Sequence, residues 1–358
     1  MAHVTQDDTV LIETDGCTGL ITLNRPQALN ALTHAMVLRI GEALTAWEHD
    51  PAVSQVLLRG AGERGLCAGG DIRAIHADAK AGTTGSLAFW RDEYRLNARI
   101  ARYPKPYVAL MDGIVMGGGV GLSAHGSVRI VTERSRVAMP ETGIGFVPDV
   151  GGTYLLSRAP GELGTHLALT GTAVGAGDAL LCGLADHYLP SDWLEEFTRE
   201  LVAAPVAEVL GKFHGATTPA APLAAEREWI DRCYAADTVE EIHSRLCGSG
   251  LAAAREASGV LHAKSPTSLK VTLAALRRAR ELDSLERVLE QEYRVSSAAL
   301  SAPDLVEGIR AQVIDKDRRP RWSPAALVQV RAAAVERFFA PLGEDRELTF
   351  PEPGAGPG

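Results

Sequence analysis

The sequence has few cysteines and no pairing pattern among them. The five are Cys17, Cys67, Cys182, Cys233 and Cys247, and no two stand in CxxC spacing. This spacing argues against a zinc site or a thioredoxin-like redox centre. An odd number of cysteines in a chain of 358 residues is typical of free thiols in a reducing compartment.

Targeting signals and runs of one kind of residue are also missing. Residues 1–8 contain no charged segment followed by an apolar one, so we predict no signal peptide and a cytoplasmic location. No apolar run reaches the roughly 18 residues that a membrane span needs, so no membrane partner is expected. The net charge is −9, and without a long Lys/Arg run no nucleic-acid partner is expected either. A few local basic residues can still hold a phosphate.

What is present is the pattern of a globular α/β protein. Hydrophobic residues make up 46% of the chain and charged residues 23%, which argues against disorder. The spacing of apolar residues predicts a β-hairpin at 9–24, strands at 53–58, 107–111 and 128–132, and helices at 33–48 and 86–103. Strands that alternate with helices in this way predict an α/β fold.

The second half of the sequence is predicted to be mainly helical. Helical periodicity recurs at 223–247, 269–279, 284–300 and 324–339, and Ser265 followed by Pro266 predicts a helix start. Residues 201–225 are rich in Ala and Pro and indicate a surface linker. We therefore predict a core over residues 9–200, a helical region over residues 201–340, and a disordered Pro/Gly tail over residues 351–358.

The first candidate for chemistry is the segment LCAGGDIR at 66–73. Glycines after a strand let backbone N–H groups approach a ligand closely, and such a group can bind developing negative charge. A plain tight turn is the alternative interpretation. Cys67 has no evident histidine partner, so we interpret it as a small buried residue and not as a nucleophile.

The second candidate is the glycine run in MGGGVGL at 116–122. Consecutive glycines between a strand and a helix again expose backbone donors, although they could also serve close helix packing. The run lacks the GxGxxG pattern of a βαβ unit with a downstream acid, so it does not predict a nicotinamide site.

The third candidate is MPETGIGFVPDVGG at 139–152, which sets Glu141 and Asp149 among glycines, prolines and apolar residues. Acids in such a stretch are more often functional than surface acids are. Different surroundings can separate the pKa values of two acids, which acid–base catalysis requires. Both acids could instead be helix N-caps or turn residues. Together, two donor loops and two acids predict a site that stabilises an oxyanion and manages a proton or a water, as acyl chemistry demands.

In this order and spacing, the three motifs resemble the crotonase superfamily. The segments LNRP at 23–26 and NAL at 30–32 are similar to the N-terminal strand and helix start of that superfamily. Within it, the chain resembles the 3-hydroxyisobutyryl-CoA hydrolases through the three motifs, SPTSLKVTL at 265–273 and EGIRAQVIDKDRRPRW at 307–322. The resemblance implies a crotonase-like spiral of ββα units with a helical C-terminal region.

The resemblance also assigns roles to individual residues. It implies that Gly70 and Gly118 supply two oxyanion-hole N–H groups, and that Glu141 and Asp149 are the catalytic acids. It implies a substrate-binding site of Glu93, Gly118, Glu141, Asp149, Ala68 and Asp71, and no metal. Hydratases of the superfamily carry a second catalytic Glu just after the glycine run, where this chain has Gly121. That departure favours a hydrolase.

The implied activity is hydrolysis of 3-hydroxyisobutyryl-CoA to 3-hydroxyisobutyrate and CoA, a step of valine degradation. Two alternatives stay open: an enoyl-CoA hydratase or isomerase on the same fold, and a non-catalytic CoA-binding protein. No cofactor is expected, because coenzyme A is part of the substrate. Analogy with the superfamily suggests a homo-oligomer, such as a trimer.

Overall fold

The computed structural model describes residues 9–350, and the predicted disordered tail at 351–358 lies outside them. The strands are β1 Val10–Asp15, β2 Thr18–Leu23, β3 Gln55–Gly60, β4 Tyr107–Met111, β5 Ile114–Met116, β6 Val128–Val131, β7 Arg136–Ala138 and β8 His187–Tyr188. A six-stranded sheet has the strand order β1-β2-β3-β4-β6-β8, and a separate pair is formed by β5 and β7. The hairpin β1–β2 is antiparallel, and all other pairs are parallel.

Helices alternate with strands in the first half of the chain and form most of its second half. They are α1 His34–Glu48, α2 Ile72–Ala81, α3 Gly85–Ala101, α4 Gly118–Ser123, α5 Gly152–Ser157, α6 Leu163–Thr170, α7 Ala176–Leu181, α8 Leu194–Ala203, α9 Val206–Lys212, α10 Pro222–Tyr234, α11 Val239–Gly248, α12 Ala252–His262, α13 Pro266–Glu281, α14 Leu285–Leu300, α15 Pro303–Ile309 and α16 Ala332–Glu336. A π-helical turn, Arg310–Ile314, continues α15. One hydrophobic core contains residues from Val10 to Leu348, so the two predicted regions pack together.

Several predicted elements are confirmed. The hairpin, α1, α3, β4 and α14 lie where apolar spacing put them. The predicted cap at Ser265 is present: its hydroxyl accepts a hydrogen bond from the Ser268 amide at 3.0 Å, and Pro266 occupies the first turn of α13. The local pattern was enough for the helices because each buries one periodic apolar face, whereas β4 is a short apolar run that is buried throughout.

Other predictions for the C-terminal half were wrong. The proposed linker at 201–225 contains α9, whose Val206 and Val209 are buried against the six-stranded sheet. The single helix expected at 223–247 is broken between α10 and α11, and only 332–336 of the segment 324–339 is α-helical. Because α9 is short and rich in small residues, its stability comes from tertiary packing, which periodicity does not reveal.

The second group of strands brings the three candidate loops to one edge. Single-residue bridges place Cys67 parallel to Val115 of β5, and β5 is parallel to β7. The segments that follow these three strands therefore leave at the same edge. They are 68–71, 117–118 and 139–141, the loops that carry the candidate chemistry.

Candidate active site

The three loops meet at a cavity of about 350 Å³. Its lining includes Ala68, Gly70, Glu93, Gly118, Glu141 and Asp149, six of the seven residues expected at the site. Most of the remaining wall is apolar and comes mainly from α2, α3 and α15: Ile72, Ile75, Phe89, Trp90, Leu305 and Ile309. A mostly apolar cavity with a few convergent polar groups is the usual form of a small-molecule site.

Asp71 is the exception, and its substrate contact stays a prediction. It does not line the cavity. Its carboxylate accepts a hydrogen bond from Arg25 Nη2 at 3.2 Å. The first turn of α2 begins at the next residue, which turns this side chain outward to the arginine.

Two backbone amides without an acceptor among the described residues lie close together where the glycine loops meet. Within residues 9–350, the N–H groups of Gly70 and Gly118 have no hydrogen-bond acceptor. A Cβ built on Gly118 would lie 3.4 Å from Gly70 N and 2.6 Å from Glu93 Oε1. Gly118 is the first residue of α4, where an unpaired N–H is inherent in helix geometry. The loops thus hold two free donors close together in a buried cavity.

Glu141 begins a 3₁₀ turn, Glu141–Ile144, immediately after β7. Its side chain is 6% exposed, and Oε1 lies 2.9 Å from where a Cβ on Gly117 would be. Gly117 has φ +49°, so only glycine suits this position sterically and conformationally. Oε2 is buried without a hydrogen-bond partner among the described residues. The carboxylate is therefore available to a ligand.

Asp149 and Glu93 complete a group of three buried carboxylates. Asp149 is 5% exposed and accepts a hydrogen bond from the Tyr94 hydroxyl at 2.7 Å. Glu93 is 2% exposed, and its Oε1 has no partner in the part of the chain that the structure describes. Ionising all three acids in one apolar cavity is energetically unfavourable, because burial and mutual repulsion both disfavour the charged form.

Burial dominates the electrostatics of these acids. It raises the pKa of Asp149 to about 7, and the Tyr94 hydrogen bond offsets part of the rise. Burial, followed by repulsion from Asp149, raises the pKa of Glu141 and of Glu93 well above the ordinary value. Lys264 acts in the opposite direction on the pKa of Glu141. A carboxyl group with a pKa near neutrality is suited to proton transfer.

Lys264 is a site residue that the sequence did not single out. It is the only Lys or Arg among the described residues that line the cavity, and burial lowers its pKa. Its Nζ lies 3.3 Å from the positions that Cβ atoms on Gly143 and Gly171 would take. Its signal in the sequence was weak: a single lysine immediately before the helix cap Ser265.

Two other side chains near the site are structural. Cys67 is fully buried beside Gly69, and burial raises its thiol pKa to about 12. A thiol that stays protonated in this way agrees with its interpretation as a small buried residue and not a nucleophile. His125 lies behind the site, where its Nε2 is 2.8 Å from Val150 O. Burial lowers the pKa of His125 to about 4, so it is neutral at physiological pH.

Comparison with known proteins decides the family. A profile of enoyl-CoA hydratase/isomerase proteins matches residues 18–339. The chain belongs to this family. The expected crotonase-like α/β fold with a helical C-terminal region is thereby confirmed. Within the family, the chain is 44% identical over 360 residues to a protein of Rattus norvegicus named 3-hydroxyisobutyryl-CoA hydrolase, mitochondrial, covering 98% of this chain and 93% of that one. The Homo sapiens protein of the same name is 43% identical, with coverages of 97% and 92%.

Solved structures of family members carry other names. A chain from Mycobacterium thermoresistibile, described as a carnitinyl-CoA dehydratase, is 56% identical with a TM-score of 0.93, covering 97% of this chain and all of that one. A chain from Rhodobacter sphaeroides, described as an enoyl-CoA hydratase, is 44% identical with a TM-score of 0.88 and coverages of 96% and 100%.

Location within the cell stays a prediction. The hydrolases just named are described as mitochondrial, which does not support the expected cytoplasmic location of this chain. Across residues 9–350, no helix combines the length and apolar character that crossing a membrane requires.

Proposed function

We propose that this protein is a 3-hydroxyisobutyryl-CoA hydrolase, which releases 3-hydroxyisobutyrate and CoA in the degradation of valine. The observation that carries the proposal is the single cavity that is lined by Gly70 and Gly118, whose amides have no acceptor among the described residues, and by the acids Glu141 and Asp149. Full-length similarity to proteins named for this activity supports it. The cavity is large enough for a short branched acyl group and the adjoining end of a pantetheine arm.

The two amides act on the thioester carbonyl. Attack at the carbonyl carbon moves negative charge onto its oxygen, which the N–H groups of Gly70 and Gly118 stabilise by hydrogen bonds. The donors are fixed before reaction, so no reorganisation is needed when charge develops. Each such donor typically lowers the barrier by about 3 kcal/mol.

Glu141 drives the attack by one of two routes. It attacks the carbonyl itself, expelling CoA thiolate and leaving an anhydride that water then hydrolyses, or it takes a proton from a water that attacks directly. In either route the unpaired Oε2 contacts the reacting group. Both routes end in the carboxylic acid and free CoA thiol.

Asp149 and Glu93 recognise the acyl group. The Asp149 carboxylate accepts a hydrogen bond from the 3-hydroxyl or orients the water, and Glu93 provides a polar contact beside Gly118. The reaction requires no cofactor beyond the CoA of the substrate. Subunits assemble as a homo-oligomer in this proposal, which light scattering tests.

A second candidate function is hydration or dehydration of a CoA ester, because two highly similar solved chains are described in those terms. Gly121 argues against it. It does not line the cavity, and a Cβ there would lie 2.7 Å from Val150 Cβ and 2.9 Å from Asn97 Nδ2. The second carboxylate that the resemblance assigns to hydratases at this position has no space here.

A panel of CoA esters distinguishes these functions. The hydrolase releases free thiol from 3-hydroxyisobutyryl-CoA, whereas a hydratase changes the absorbance of an enoyl ester such as crotonyl-CoA. Thiol release at a rate far below hydration would overturn the proposal. Tight CoA binding without any turnover would instead indicate a non-catalytic protein.

The Asp149→Asn variant tests acyl recognition. If Asp149 binds the 3-hydroxyl, the variant loses much more kcat/KM on 3-hydroxyisobutyryl-CoA than on isobutyryl-CoA. Discrimination through a buried polar partner reaches about 10⁴ in favourable sites, and we expect less here because the carboxylate is open to the cavity. Equal losses on the two esters would assign Asp149 to orienting water.

A further inference from the structure

Helix α14, in the C-terminal region, carries two polar side chains, one turn apart, that contact residues around Asp149. Glu292 and Ser296 are both buried, at 1% and 0% exposure. Buried polar groups on a helix normally have a specific partner, because leaving one unpaired is costly. Here the partners are Gly151 and Thr153, which follow Asp149, and Tyr94, all more than a hundred residues earlier in the chain.

Glu292 fixes the backbone that follows Asp149. Its carboxylate accepts hydrogen bonds from the amide of Gly151 at 2.7 Å, and from the amide and hydroxyl of Thr153 at 2.9 and 2.5 Å. Between them and Asp149 lies Val150, a β-branched residue at φ +53°. Such a conformation is strained and persists only where the surroundings impose it. The contact of α14 is therefore part of what shapes this loop.

Ser296 reaches the carboxylate of Asp149 through Tyr94. The Tyr94 hydroxyl lies 2.7 Å from Asp149 Oδ2 and 2.7 Å from Ser296 Oγ. Burial raises the pKa of Tyr94 well above its ordinary value, so its proton stays on. Since an ionised carboxylate only accepts, that one proton goes to Asp149, and Ser296 must donate to Tyr94. Both hydroxyl dipoles then point towards the negative charge.

We propose that Tyr94 and Ser296 are positioning residues that orient Asp149 and hold it as an anion for catalysis. The inference deepens the proposed function and rests on it. Tyr94 is the only side-chain donor to Asp149 within residues 9–350. This bond fixes the orientation of a carboxylate that lines the cavity.

The charges around Asp149 make this donor important. Glu93 and Glu141 in the cavity and Glu292 behind it are acids, whereas the cavity cation Lys264 acts on Glu141 and His125 contacts the Val150 carbonyl. Each of these acids, when ionised, disfavours a negative charge on Asp149. Because the Tyr94 hydrogen bond lowers the pKa of Asp149, loss of this hydroxyl raises that pKa and favours the protonated acid.

The test compares pH profiles of kcat/KM for wild type, Tyr94→Phe and Ser296→Ala, with melting temperatures recorded for each. Tyr94→Phe should move the acidic limb upward by about one pH unit and lower kcat several-fold at neutral pH, with little change in KM. Ser296→Ala should move it in the same direction by less, because the tyrosine proton remains but is no longer oriented. Tyr293→Phe is the matched control: the Tyr293 ring packs against Tyr94, but the hydroxyl that the variant removes donates to Leu87 O.

An unshifted limb in folded Tyr94→Phe would overturn the inference, and so would an equal shift in Tyr293→Phe. Should Tyr94→Phe fail to fold, Ser296→Ala alone decides, since an unshifted limb there contradicts the chain of hydroxyls. The wild-type substrate panel tests the proposed function separately. If the preferred ester proves to be another one, the same profiles are measured on that ester, so failure of one idea does not hide the other.

Discussion

Gly118→Ala tests the two-amide site most directly. The added methyl group would lie 2.6 Å from Glu93 Oε1, 3.0 Å from Leu32 Cδ1 and 3.4 Å from Gly70 N. It would occupy the space between the two amides, where the oxyanion is proposed to lie. Gly118 does not have a positive φ, so alanine fits its backbone conformation, and the added atom meets the cavity residue Glu93 and the core residue Leu32.

The expected loss follows from the donors affected. Removing one oxyanion donor typically costs 10²–10³ in kcat, or about 2.7–4 kcal/mol. The methyl group holds the oxygen away from both Gly70 and Gly118, so we expect about 10³. Because charge on the oxygen is largest in the transition state, KM should change much less than kcat. Glu93 must also move, as its carboxylate end is the atom most closely approached.

The assay is thiol release from 3-hydroxyisobutyryl-CoA, followed with a chromogenic disulfide. Gly41→Ala is the control: Gly41 lies inside α1 with no atom within 4 Å of an added Cβ. It should keep full activity and gain about 0.5–1 kcal/mol of stability, as Gly to Ala in a helix usually does. A folded Gly118→Ala variant with more than about a tenth of the wild-type kcat would refute the oxyanion assignment.

Three further changes follow from the same geometry. Glu141→Gln preserves shape and removes the nucleophile or base, so turnover should be abolished while equilibrium binding of a CoA ester survives; kcat above about a tenth of wild type would show the assignment to be wrong. Lys264→Met removes the cavity cation that lowers the pKa of Glu141, so the acidic limb of the pH profile of kcat/KM should move to higher pH and activity below neutrality should fall. An unchanged pH profile would mean that the lysine does not act on Glu141. Gly121→Glu should lower the melting temperature and add no hydration of crotonyl-CoA, because its side chain meets Val150 and Asn97; robust hydration would mean that hydratase and hydrolase sites differ by less than we infer.

The sequence by itself determined the family and the active-site loops. Glycine-rich segments at 66–73 and 116–122 and the acid-bearing segment at 139–152 are local patterns, and six of the seven residues carried over line the cavity. Ser265 as a helix cap is equally local, because a capping serine and its target amide are three residues apart. Such short-range patterns can be recognised in the sequence because the interacting groups are close together in the chain.

Only the tertiary structure decided how the acids are tuned. Tyr94 and Asp149 are 55 residues apart and Tyr94 and Ser296 are 202 apart, so no spacing in the sequence links them. Likewise, Asp71 follows two glycines of the candidate site but contacts Arg25, and Lys264 lines the cavity from the C-terminal half of the chain. Burial, which sets the pKa of each buried acid, is a property of the whole packed chain, and therefore no local pattern could have supplied it.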